Sequence, residues 1–344
     1  MAAIVSKITD IRKHTNADSL DVCQVMGWQL VVKSEQFQEN EKVVYFEPAT
    51  VMPEYLADQL GVKKFLSTKV DINGNKVLVV NKIKLRGEPS FGLCIPYDGN
   101  APLNLDVSSL YSVTKFDPPI KFYMGQTVSD IPEFEKYSGP NNLRSAPHVF
   151  SDGELVYVTE KIHGTNSRVG FIRENGEVKY LAGSKNYLRE QSDNVKYWHP
   201  LSLQSVQDLL TYYVSQQKCK TCILYGELFG PGIQKYTYGA TQLSYVAFDL
   251  MINGAYLDYS QFYDLCDLFA VPKVPLIAVM DYSLKFVKDL SSGPSLLGGA
   301  HNREGVVVRP QKERVHPKYG RFIMKYVSDE FLFGEGDKND FTDI

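Results

Sequence analysis

Four charged side chains stand inside apolar, strand-like runs, where they could carry nucleophilic chemistry. Lys161 closes the alternating run Leu155-Val156-Tyr157-Val158-Thr159-Glu160-Lys161 and is followed by the turn signal Ile162-His163-Gly164. Glu227 lies within Tyr225-Gly226-Glu227-Leu228-Phe229-Gly230, Glu304 opens Glu304-Gly305-Val306-Val307-Val308-Arg309, and Lys325 sits in Phe322-Ile323-Met324-Lys325-Tyr326. A lysine amine attacks only when neutral, although its ordinary pKa is about 10.4. A nucleophilic lysine therefore needs a pocket that disfavours its charge by desolvation or by a second cation. Taken singly, each of these residues reads more readily as a solvent-facing strand charge, and the Lys161 stretch reads equally as a strand end whose lysine keeps an edge soluble. Charges inside strand patterns are costly to bury unless paired or bound to a ligand, so four of them in this order point to a site.

The elements that must hold these residues fall into two groups. Runs of period two at 4–8, 20–25, 28–32, 42–46 and 76–80, with a further return near 85–93, read as about five short strands. Strands at that spacing suggest a small OB-like β-barrel. Pro118, Pro119, Pro132, Gly139, Pro140, Asn141 and Asn142 mark a linker, which places a boundary near residue 140 and gives domains of 1–140 and 141–344. Beyond it, strands and helices mix in an α+β manner. An Asn175-Gly176 hairpin, a helix over 201–216, strands at 223–228 and 243–250, a helix capped by Asp258, and strands at 305–309 and 321–327 are expected. The acidic, polar tail 334–344 reads as disordered.

Composition narrows the classes. A chain of 344 residues has room for about two cored domains. Its net charge of −3 argues against a general polyanion binder, so any nucleic-acid surface is a local patch. Aromatic residues make up 12% of the chain, which suits β-rich cores and also stacking on bases. Five cysteines and no apolar leader point to a reducing compartment, cytoplasmic or nuclear. No apolar run approaches a membrane span. Cys219 and Cys222 form a lone C-x-x-C without a second pair and read as ordinary thiols. No P-loop glycine motif is present.

In order and wording, these runs resemble the motifs of the covalent nucleotidyltransferases, the superfamily of RNA ligases, DNA ligases and mRNA-capping enzymes. Lys161-Ile162-His163-Gly164-Thr165-Asn166 resembles the first motif, whose lysine becomes nucleotidylated, with Glu160, Ile162 and Asn166 beside the nucleotide. Gly183-Ser184-Lys185-Asn186 is similar to the next, where Lys185 or Arg189 would approach ribose and phosphate. Glu227 takes the ribose-binding place and Phe248 of Ala247-Phe248-Asp249-Leu250 the purine-stacking one. Glu304 corresponds to the glutamate that organises the water shell of a metal ion, and Lys325 to a lysine at the α-phosphate. The match is closest to ATP-dependent RNA ligases. Segments 16–32 and 43–48 resemble the OB-type module at the front of the Deinococcus and Naegleria type, and Arg144 resembles that group's pyrophosphate-contacting arginine.

The resemblance spans nearly the whole chain and implies a definite protein. Its fold would be an α+β, ATP-grasp-like ligase domain of antiparallel sheets flanked by helices, behind the OB-like barrel. Its activity would be ATP-dependent joining of RNA 3′-OH and 5′-phosphate ends through lysyl-AMP, with Mg²⁺ or Mn²⁺. Its substrates would be RNA ends, in nicked duplex RNA or an RNA–DNA hybrid, and a monomer is expected. Two departures matter. Ile323 stands where a second lysine often precedes Lys325, so Arg309 or Arg321 could supply phosphate contacts instead; His163 replaces the aspartate usual in DNA ligases. The basic segment Lys312, Arg314, His316, Lys318, Arg321 could touch substrate phosphates or form a solvated hairpin. Competing readings are a capping-type guanylyltransferase, a DNA ligase, or a non-catalytic OB-type RNA-binding protein.

Overall fold

The computed structural model describes residues 1–119, 127–191 and 196–335. They divide into two compact units that exchange segments: 1–119 with 142–149 and 332–335, and 127–141 with 150–191 and 196–331. Of the acidic tail, only Gly334 and Glu335 fall among the described residues.

The spine of the first unit is the strand Ala3–Lys13. Its first five residues pair with Lys42–Phe46, and from Ile8 onward it pairs with Leu20–Val25. A strand that serves two neighbours along its length must bend, and the register shift between Ile8 and Asp10 is where it does. The antiparallel order is Leu93–Pro96, Lys42–Phe46, Ala3–Lys13, Leu20–Val25, Trp28–Lys33, the curled sheet expected of an OB-type module. Ala3, Val5, Val44 and Phe46 point inward and pack with Met52, Leu56 and Val80. Between Leu85 and Glu88 the chain reverses on two residues, Arg86 (φ 51°) and Gly87 (φ 98°). Left-handed backbone at both central positions is the type I′ geometry that matches strand twist. The short strands Thr50–Met52 and Ser67–Val70 and the helix Glu54–Gln59 give no period-two or long amphipathic signal and were not expected.

The second unit is built on two antiparallel sheets. The larger runs Thr127–Val128, Leu188–Arg189, Glu177–Ser184, Thr165–Glu174, Thr221–Phe229, Ser244–Ile252, Ala255–Tyr256. The Asn175-Gly176 pair makes its expected tight turn between Glu174 and Glu177. One face of the sheet, with Val169, Leu224, Ala247 and Leu250, buries against Leu209 and Leu210 of the helix Gln204–Ser215 and Phe262 of the helix Tyr259–Leu268. On the other face Ile172, Ile223, Tyr225 and Met251 lie under Phe134 and Tyr137. The helix Tyr259–Leu268 begins where expected: Asp258 donates its backbone N–H to the Gln261 side chain at 3.2 Å. The second sheet places Met324–Val327, Gly305–Pro310, Leu155–Lys161 and Leu276–Asp281 side by side, with the helix Leu284–Ser291 packed on Gly305–Pro310. Among the described residues no helix is long and apolar enough to cross a membrane.

Candidate active site

Strand pairing alone assembles one wall of the site. Lys161 pairs with Gly305, while Val307 pairs with both Thr159 and Lys325. Because successive strand residues alternate, Lys161, Val307 and Lys325 share one face, and Glu160, Val306 and Val308 share the other. The first three are half-buried and the second three fully buried, so the charged face is the open one. Glu304 stands one residue before that strand, and its carboxylate, 0% exposed, is ion-paired with the Lys161 amine. Its second oxygen lies 3.6 Å from Nδ1 of His163. The two glycines of these motifs are spatial requirements. A Cβ on Gly164 would lie 2.3 Å from the Leu228 carbonyl oxygen and 2.8 Å from Cγ of Glu227, and one on Gly305 would lie 2.3 Å from the Tyr326 carbonyl oxygen. Their absence of side chain lets the lysine turn reach the Glu227 strand and lets the two lysine-bearing strands draw together.

The opposite wall belongs to the larger sheet. Asn166 and Glu227 are cross-strand partners, both half-buried, and the Asn166 Oδ1 atom is buried without a hydrogen-bond partner. Phe248 is the extra residue of a β-bulge, since Tyr225 pairs with Asp249 but Gly226 with Ala247. The bulge turns two consecutive residues, Phe248 and Asp249, to the same face. Phe248 packs on Tyr137 with ring centroids 4.8 Å apart, and the Tyr137 hydroxyl donates to Asp249 at 2.7 Å.

Asp249 is a hub that no sequence signal marked. Its carboxylate accepts from Arg321 at 2.7 and 2.9 Å and from Arg309 at 3.2 Å, so Arg309 is consumed in tying the two sheets together and Arg321 in tying the larger sheet to the hairpin of Val315–His316 and Gly320–Arg321. Burial pushes the Asp249 carboxyl up, but Arg309 and Arg321 outweigh it and hold the carboxyl below its ordinary range. The suggestion that Arg309 or Arg321 substitutes for a second phosphate-binding lysine is therefore corrected. The basic segment is likewise mostly committed to carboxylates: Lys312 pairs with Asp258, Arg314 with Glu154, and Arg321 also with Glu313.

The remaining expected residues are dispersed. Both oxygens of the buried Glu160 carboxylate are engaged, by the Ser295 hydroxyl at 2.6 Å and the Leu296 N–H at 2.7 Å, on the face away from Lys161. Ile162 is buried. Lys185 is exposed on the turn after Glu177–Ser184. Arg189 is buried beside the rings of Tyr197 and Tyr187. Arg144 belongs to the first unit, where its guanidinium lies against Trp28 and Phe91 at 5.4 and 5.2 Å. Cys219 and Cys222 are buried free thiols, as expected. Among the described residues no cluster of three or more His, Cys, Asp or Glu could cage a metal. One buried carboxylate beside an imidazole and next to the half-buried Lys161 would fit a cation that keeps most of its waters and meets phosphate oxygens.

The sequence pattern of the RNA ligase family matches residues 154–327, just over half of the chain, and that of an OB-fold domain matches residues 2–97. The chain belongs to the RNA ligase family. Solved structures agree in fold. A Naegleria gruberi RNA ligase with PPi is 22% identical, covering 96% of this chain and 97% of that one at a TM-score of 0.75. A mutant of that enzyme with ATP and Mn is 21% identical over 96% and 98% at 0.75, and another with AMP and Mn is 21% identical over 96% and 98% at 0.76. No curated protein sequence matches this RNA ligase. Its family pattern covers every one of the four charged residues from which the site was first read. One further side chain of the site went unnoticed in the sequence: the hydroxyl of Tyr238, which accepts a hydrogen bond from the backbone N–H of His163 at 2.6 Å.

Proposed function

We propose that this RNA ligase joins RNA 3′-OH and 5′-phosphate ends with ATP, and that Lys161 is the residue that carries AMP. The observation that carries the reading is the meeting of Lys161 with Glu304 on the open sheet face that also bears Lys325, within one unit with Glu227, Asn166 and Phe248. In the first step the Lys161 amine attacks the α-phosphorus, the bond to the β-phosphate oxygen breaks, pyrophosphate leaves and the amine gives up a proton. Next an RNA 5′-phosphate oxygen attacks the same phosphorus, the P–N bond breaks and Lys161 regains its proton. Finally a 3′-OH attacks the activated 5′-phosphate and AMP leaves. Such in-line transfers gain most from positioning and charge neutralisation.

In these roles Phe248 stacks on adenine, Glu227 and Asn166 hold the ribose side, and Lys325 meets the α-phosphate. Lys325 also disfavours charge on Lys161 by repulsion, and the Glu304 carboxylate pairs with the Lys161 amine. Mg²⁺ or Mn²⁺, when bound, would sit by Glu304 and supply positive charge to the phosphate oxygens. The substrate proposed is a nicked RNA duplex or RNA–DNA hybrid, acted on by a monomer. Five free, buried cysteines support a reducing compartment.

The test is incubation with α-labelled ATP and Mg²⁺ or Mn²⁺, followed by denaturing electrophoresis, beside Lys161→Ala and with GTP as a control. Label that survives denaturation, requires ATP and vanishes in the variant is expected. Label from GTP alone would indicate a capping enzyme, and none from either nucleotide would leave an RNA-binding protein. Sealing of nicked duplexes of RNA, hybrid and DNA then ranks the substrates.

A further inference from the structure

Tyr238 has no role in the reaction as written, yet its hydroxyl reaches the turn that follows the nucleophile. The backbone N–H of His163 donates to it at 2.6 Å. His163 in turn faces Glu304 at 3.6 Å, and Glu304 is paired with Lys161. A hydroxyl, a backbone amide, an imidazole, a carboxylate and the reactive amine thus stand in one series.

The surroundings fix the tyrosine from every side. It is 5% exposed, with its ring edge-on to Phe229 at 5.2 Å and to His301 at 4.9 Å. Its backbone is left-handed (φ 55°), a conformation that aromatic residues rarely adopt and that persists only where neighbours impose it. A tight turn imposes it, the Ala240 N–H donating to the Thr237 carbonyl at 2.9 Å across Tyr238 and Gly239 (φ 77°), and two glycines of the loop leading to Glu304 lie against that turn. A Cβ on Gly298 would lie 2.8 Å from the Tyr238 carbonyl oxygen, and one on Gly299 would lie 3.1 Å from its Cα. The same loop binds the Glu160 carboxylate through Ser295 and Leu296. Burial raises the Tyr238 phenol far above its usual range, with the His163 N–H bond and Lys161 opposing and the charges of Glu304 and Glu160 adding to it.

We propose that Tyr238 is a positioning residue for adenylylation, holding the His163 turn so that His163 orients Glu304 against Lys161. The proposal rests on the reading of Lys161 as the nucleophile. It assigns Tyr238 no contact with nucleotide or RNA. Replacing the hydroxyl should slow formation of lysyl-AMP while leaving the grip on ATP intact.

The experiment uses the full chain with Tyr238→Phe, which keeps the ring and its packing. Two measurements are made. The first is amide hydrogen exchange at His163 in the absence of nucleotide, where loss of one hydrogen bond should speed exchange about tenfold. The second is the rate of lysyl-AMP formation across ATP concentrations. A rate at saturating ATP reduced about tenfold, with an unchanged half-saturating concentration, is expected. The reduction should also disappear when Tyr238→Phe is made in a His163→Ala background, because the route through His163 is already cut. Unchanged exchange at His163 would overturn the proposal whether or not the protein labels with ATP. So would a raised half-saturating concentration with no change in rate, or an effect that persists in full without the His163 side chain. Wild-type protein that never labels would defeat the adenylylation reading instead, and the exchange result would still decide whether Tyr238 holds the turn.

Discussion

The amine of Lys161 is ion-paired with a Glu304 carboxylate that has no exposed surface, although 143 residues separate them. Removing the lysine strands a buried charge, and breaking fully buried pairs costs about 3–5 kcal/mol. Lys161 is 18% exposed, so solvent relieves part of that and about 2 kcal/mol is expected for Lys161→Ala. Adding Glu304→Gln to that variant removes the stranded charge and should recover most of the loss. Urea unfolding of the three proteins measures this, and a double variant less stable than Lys161→Ala would contradict it. In the labelling assay Glu304→Ala should reduce lysyl-AMP formation by about a hundredfold.

Phe248 owes its direction to the bulge opposite Tyr225 and Gly226. Base-on-aromatic stacking contributes about 1–3 kcal/mol, so Phe248→Ala should raise the half-saturating ATP concentration about tenfold or more. The labelling rate at saturating ATP should change little, because the reacting groups stay in place. Phe248→Tyr, which keeps the ring, should behave as wild type. A fall in saturated rate with unaltered ATP dependence would remove Phe248 from the nucleotide.

Ile323 occupies the position where a second lysine would be read from the motif, and it is 1% exposed. A lysine there would have to bury an ammonium without a built partner, so Ile323→Lys should destabilise the protein by about 3 kcal/mol or more and leave labelling no faster. Lys325→Ala should instead fold normally and label at least about a hundredfold more slowly. Thermal unfolding and the labelling assay, run on both variants, separate these outcomes. Faster labelling in Ile323→Lys would mean that this position reaches the bound nucleotide.

What the sequence disclosed follows from the range of the interactions involved. The hairpin at Asn175-Gly176 and the helix start at Asp258 depend on residues a few places apart, and both were readable from local pattern. The four charged residues of the site were readable because each breaks an apolar strand run. Asp249 was not, because its meaning lies in Arg309 and Arg321, 60 and 72 residues away, which looked like phosphate ligands until their partner was known. Tyr238 was missed for a similar reason. Its left-handed backbone belongs to the local turn that the Ala240 N–H closes on Thr237, but the partner of its hydroxyl is His163, 75 residues away, and Thr237-Tyr238-Gly239 carries no local mark of that contact. The bulge at Phe248 also escaped notice, since an alternating run gives no sign of one skipped pairing.

The Asp249 hub makes part of the second unit's stability depend on acid pH. Its carboxyl is held below the ordinary value of 3.8, with burial opposing and Arg309 and Arg321 prevailing. A depressed folded-state value contributes stability that is fully present above the unfolded-state value and is lost as pH falls through the folded-state value. Wild-type stability should therefore hold near neutrality and decline on acidification below about pH 4 as this carboxylate takes up its proton. Asp249→Asn keeps the shape but leaves two buried guanidinium groups short of a counter-charge, so a loss of about 3–5 kcal/mol is expected at pH 7. The difference between the two proteins should narrow as the pH is lowered, because the wild type surrenders what the variant never had. Urea unfolding across that pH range measures both curves. Parallel curves with a constant gap would show that the ionisation of Asp249 is not what stabilises the junction of the two sheets.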